Sequence, residues 1–94
     1  MYLRLVRFTL NERGRTQAEA MADDLTAAIR QQPGCVSAAF FGGDEDGESG
    51  VAVLWDSQEH ANAAAAVISP KLEAHLAGNV LGAPERRLFR VLAS

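Results

Sequence analysis

From Tyr2 to Leu10 the chain is rich in Leu, Val, Phe and Tyr and contains neither Gly nor Pro, a pattern that predicts a first strand. Asn11-Glu12-Arg13-Gly14 ends it. Thr16 followed by Glu19 has the spacing of a capping box, so a helix is expected to start there. Ala18, Met21, Ala22, Leu25, Ala28 and Ile29 then recur at the 3,4 spacing of one helical face, until Pro33-Gly34 stops the helix. Two short apolar runs follow, Cys35 to Phe41 and Gly50 to Trp55, joined by a turn of glycines and carboxylates over 42–49. Asp56 or Ser57 can cap a second, alanine-rich helix, and Ser69-Pro70 predicts a separate short helix over Lys71 to Ala77, ended by Gly78. After a loop over Asn79 to Pro84, Arg86 to Leu92 alternates basic and apolar residues as a fourth strand.

The order is βαββαβ, the ferredoxin-like arrangement: one α+β domain over 1–94 with a four-stranded antiparallel sheet and its helices on one face. Strands two and three are apolar at both parities, so both sheet faces need cover. Two alanine-rich helices can cover one. The other is expected to pack on a second copy, giving a homodimer.

Composition sharpens this picture. Apolar residues are 48% of the 94, yet 17 of them are alanine, which leaves little bulk for a core and favours a shared one. A net charge of −3 argues against a nucleic-acid partner. The longest unbroken apolar run, Ala63 to Ile68, falls far short of a membrane span, and two arginines interrupt the N-terminus before a signal peptide can build. With a lone cysteine, Cys35, a reducing cytoplasm is the expected setting and a thiolate zinc site has no companions. Phosphate-loop, nucleophile-elbow and dithiol motifs are absent from the sequence. The acidic turn at Asp44 does not make a calcium loop, which would need Gly at Ser49 and Glu at Trp55. No metal is therefore expected.

With the topology in place, Pro33-Gly34-Cys35-Val36-Ser37-Ala38, the acidic hairpin, Leu54-Trp55-Asp56-Ser57-Gln58-Glu59 and the Ser69-Pro70 helix start resemble the antibiotic biosynthesis monooxygenase family of the dimeric α+β barrel superfamily. The resemblance runs over essentially the whole chain. It implies a barrel-like dimer with a cavity between sheet and helices in each subunit. It also implies cofactor-free oxygenation of quinols or polyphenols in some members and haem degradation in others. The cofactor-free branch is matched at Trp55, while its strand-three Asn falls near Val51 and its helical Tyr near Ala61. Of the haem-degrading set, the first-strand Asn falls at Arg7 and the second Trp near Ala64, and His75 alone matches, at the iron ligand.

These residues set the expectations for a site. His75, flanked by Leu72 and Leu76, is the candidate catalytic base or axial ligand, against the plainer role of a helical surface histidine. Trp55 is expected either to stack on an aromatic ligand or to fill the core. Arg7 and Arg90, within outer strands, are candidate anion binders or partners in ion pairs, and Asn62 is a candidate ligand contact from the second helix. His60 is expected to be solvated and Cys35 to be a small apolar residue. The leading expectation is a dimer that binds a planar aromatic or quinol-type ligand and oxygenates it with dioxygen and no cofactor. A non-catalytic ligand-binding or stress-associated scaffold is the alternative, and haem chemistry, resting on His75, is third.

Overall fold

The computed structural model describes residues 1–43 and 46–94, and Asp44 and Glu45 of the expected hairpin tip lie outside the described residues. Its elements are β1 (Tyr2–Thr9), α1 (Glu12–Arg30), β2 (Cys35–Gly42), β3 (Glu48–Trp55), α2 (Gln58–Leu76) and β4 (Glu85–Arg90). The strands form one antiparallel sheet in the order β2-β3-β1-β4. This is the expected βαββαβ ferredoxin-like architecture, with both helices on one face.

Helix α1 begins a turn earlier than the Thr16-Glu19 box predicts. Asn11 is its cap: the side-chain Oδ1 accepts from the Gly14 N–H at 2.8 Å, while Thr16 lies inside the helix and donates to the Arg13 carbonyl. Asn11 wins because its other groups are also used. Its Nδ2 donates to the Gly78 carbonyl and its backbone N–H to the Asn79 carbonyl, which ties the start of α1 to the end of α2. Gly14 is required at this junction, since a Cβ there would meet the Asn79 oxygen at 2.3 Å.

Helix α2 is continuous through Pro70, where two helices are expected from the sequence. The stripe Ala61, Ala64, Ile68, Leu72 and Leu76 keeps one 3.6-residue period across the Ser69-Pro70 step and packs on the core throughout. Pro70 itself is exposed, as is Ala66 one turn earlier, so the carbonyl left without its helical donor is open to water. Helix burial outweighs the local Ser-Pro signal.

The ladder pairs Arg4 with Val53, Val6 with Val51 and Phe8 with Ser49, and Val6, Phe8, Val51, Val53 and Trp55 are buried beneath Met21, Leu25 and Ile29 of α1. Phe8 meets Phe40 of β2 edge to face, centroids 5.9 Å apart. The opposite parity, Leu3, Leu5, Ala39, Ala52, Leu54 and Phe89, forms an apolar face that neither helix covers. A bulge between Cys35 and Ser37 adds Val36 to its margin, 53% exposed.

Candidate functional site

Between the helix-covered face of the sheet and α2 lies a cavity of about 110 Å³. Its walls follow from side-chain size. The small Ala61, Ala64 and Ala65 of α2 stand over Val51, Val53 and Trp55 of β3, and alanines leave space where larger residues would close it. Val6, Leu25, Ile29, Ile68 and Leu72 complete the apolar lining, and the polar side chains are Arg4, Ser69 and Arg86.

Arg4 reaches the cavity because β1 alternates, placing it on the face of Val6 and Phe8. Its Nη2 donates to Asn62 Oδ1 at 3.2 Å, and its Nε is buried without a partner. Burial, and then the neighbouring Arg86 charge, hold the Arg4 guanidinium below the ordinary arginine value. Arg86 of β4 stands opposite Val6 and donates to Ser69 Oγ at 3.2 Å and Glu73 Oε1 at 3.3 Å. Trp55 is 3% exposed, and its Nε1 is a second buried donor without a partner. The cavity is thus an apolar slot with two guanidinium groups, of Arg4 and Arg86, in its wall, suited to a planar ring that carries acceptor oxygens.

The five residues expected from the sequence are divided by the fold. Trp55 lines the cavity and Asn62 bonds Arg4 at its edge. Arg7 points to the opposite sheet face, where it pairs with Glu48 within a shallow groove that also includes Glu85. Arg90 shares the helix-side parity of Arg86 and is exposed beyond the cavity wall, opposite Tyr2. His75 is outside the lining: its Nε2 lies 2.5 Å from Asp24 Oδ2 across the α1–α2 seam, where Lys71 Nζ also meets Asp24 at 3.0 Å. Strand parity puts Arg4 and Arg7 on opposite faces of β1, but both faces are apolar in sequence, so only helix packing selects Arg4, and nothing local marks Ser69 as a cavity residue. His60 is held by Asp56 at 2.6 Å, and burial pushes the Cys35 thiol up, which leaves it inert at neutral pH. Among the described residues no three His, Cys, Asp or Glu side chains gather as a metal set, and no helix is long and apolar enough to cross a membrane.

No family model matches the sequence, and no curated protein matches it. Solved structures do match in three dimensions. Rv0793 from Mycobacterium tuberculosis superposes with a TM-score of 0.84 at 15% identity, over 99% of this chain and 96% of that one. A Nitrosomonas europaea protein provisionally assigned as an antibiotic biosynthesis monooxygenase gives 0.85 at 10% identity, over 99% and 100%. SnoaB, a cofactor-independent oxygenase from Streptomyces nogalater, gives 0.76 at 20% identity, over 99% and 94%. With end-to-end coverage on both sides of each comparison, this chain has the fold of the antibiotic biosynthesis monooxygenases.

Proposed function

We propose that the protein is a cytoplasmic homodimer of the antibiotic biosynthesis monooxygenase type that binds a quinol-type aromatic in the Arg4–Trp55 cavity and oxygenates it with dioxygen, without a cofactor. The observation that carries this is the cavity itself: apolar walls with the side chains of Arg4, Arg86 and Trp55 among the lining. At about 110 Å³ it is smaller than the apolar cavity of about 150 Å³ that takes up benzene, so it sets an upper limit of one compact ring.

The chemistry follows from which groups are there. The lining contains neither carboxylate nor imidazole, so no side chain is placed to take the ring hydroxyl proton. Arg4 and Arg86 act on the other side of that equilibrium: their positive charge favours the ring oxyanion, which forms as the ring hydroxyl gives its proton to water. The electron-rich anion reduces dioxygen, and a ring carbon forms a bond to one oxygen atom. The second oxygen leaves as water with two of the quinol's hydrogens, and the product is a hydroxyquinone. All four electrons come from the ring, two in forming the C–O bond and two in passing from quinol to quinone. No external reductant is needed.

The same lack of a base supports a second reading, a binding scaffold that holds such a ring without turning it over. Oxygen uptake separates the two. The protein is incubated aerobically with hydroquinones, each corrected for autoxidation, and with haem. The proposal expects uptake that falls at least tenfold in Arg4→Met and persists in His75→Ala. Binding without uptake selects the scaffold, and a Soret shift lost in His75→Ala would restore the haem reading. The dimer is proposed from the uncovered apolar face, on which Leu5 and Leu54 are only half-buried.

A further inference from the structure

Charge in the cavity wall is unbalanced in a way that bears on the ligand. Arg4 and Arg86 bring two guanidinium groups to one lining, close enough for the charge of Arg86 to act on Arg4. Arg86 has a carboxylate partner, Glu73, whose side chain is 67% exposed at the rim. Arg4 has none among the described residues: its side-chain contact is the neutral amide of Asn62, and its Nε is buried and unmatched. Two positive charges and one negative leave a net single positive charge against an apolar slot. A partly desolvated, unmatched cation is costly, and a monoanion in the slot relieves that cost.

A simple quinol does not supply the anion in its resting form, because phenolic hydroxyls ionise near pH 10. A carboxyl group ionises near pH 4 and is negative throughout the physiological range. Guanidinium groups also match a carboxylate with paired N–H donors, which gives orientation as well as charge neutralisation.

We infer that the ligand is a single hydroxylated aromatic ring bearing a carboxylate, with the carboxylate held by Arg4 and Arg86. This rests on the reading of the cavity as the substrate site and names the class of substrate it takes. The carboxylate is a handle and leaves the electron balance of the oxygenation unchanged. Arg4 and Arg86 then set specificity by favouring carboxylated rings over neutral quinols, which bind more weakly because they leave the wall charge unmatched.

Calorimetric titration under anaerobic conditions tests this with an isosteric pair, 2,5-dihydroxybenzoate and 2,5-dihydroxybenzamide. The benzoate is expected to bind at least tenfold more tightly than the amide. That preference should vanish in Arg4→Met and in Arg86→Met, and survive in reduced form in Arg4→Lys. Glu73→Gln, at an exposed position, should tighten the benzoate and leave the amide unchanged. Equal binding of both compounds by the wild type overturns the carboxylate inference and leaves the cavity reading standing. Binding of neither at millimolar concentration defeats both.

Discussion

Asp24 Oδ2 lies 2.5 Å from His75 Nε2, joining the middle of α1 to the last turn of α2, and neither residue is part of the cavity lining. The contact gives His75 a structural partner and accounts for its absence from the site. It also makes a prediction about acid. The hydrogen bond from His75, and then that from Lys71, hold the Asp24 carboxyl below the usual carboxylate range. A carboxyl lowered in the folded state stabilises the fold above its unfolded value, near pH 4, and loses that contribution as pH falls through the lowered value. Asp24→Asn should therefore melt slightly below the wild type at pH 7, with the gap closing towards pH 2. A gap that does not change across that range in circular-dichroism melts would remove Asp24 as its source. The effect is small because the group is half exposed to water.

The two rival caps of α1 differ in expected cost. Asn11→Ala should lose about 1 kcal/mol in denaturant titration, and more if the ties to Gly78 and Asn79 count, because it removes the acceptor for the Gly14 N–H. Thr16→Ala should stay within about 0.5 kcal/mol. The reverse order would return the helix start to the Thr16-Glu19 box.

Gly14→Ala separates local propensity from tertiary contact by the sign of its effect. In a free helix the change stabilises by about 1 kcal/mol. Here the added methyl would meet the Asn79 carbonyl oxygen at 2.3 Å, and backbone cannot move aside as a side-chain tip can. A loss of about 1–3 kcal/mol is expected, read from the same titrations.

Trp55 combines packing with an unmatched donor. Trp55→Ala should cost about 3–5 kcal/mol by opening the core under α2. Trp55→Phe should cost less than about 1.5 kcal/mol, since it also removes the unsatisfied indole N–H. As the chain's one tryptophan, Trp55 makes the intrinsic fluorescence of the wild type and of the Arg4 and Arg86 variants a direct report on the cavity wall.

Leu54 stands on the uncovered face between Leu3 of β1 and Ser37 of β2. A carboxylate there would be buried in a face-to-face dimer and harmless in a monomer. Light scattering on a sizing column should give twice the chain mass for the wild type at micromolar concentration and the chain mass for Leu54→Asp. A monomeric wild type sinks the dimer.

Part of the cavity wall is legible in the chain. Trp55 lines it, ending an apolar strand beside an alanine-rich helix, and Asn62 of that helix bonds Arg4 at its edge. Arg7 was expected near the ligand and Arg4 was not, and the reason lies in β1 itself. Leu3 and Leu5 are as apolar as Val6 and Phe8, so alternation alone does not say which parity faces the helices. Arg86 and Ser69 entered the site through pairing and packing, β4 against β1 and α2 over both.

Local patterns were enough for the four strands, the apolar stripe of α1, the βαββαβ order and the apolar character of both sheet faces, because each depends on residues within a few positions of one another. The cap at Asn11, the unbroken α2 and the placement of two guanidinium groups in one cavity depend on contacts between distant segments. There the free energy of burial and of satisfying backbone groups exceeds the local preferences of Thr16 and Pro70. The tertiary structure put Arg4 inside and Arg7 outside by choosing which apolar face the helices cover, and with that choice it set the charge that a ligand meets.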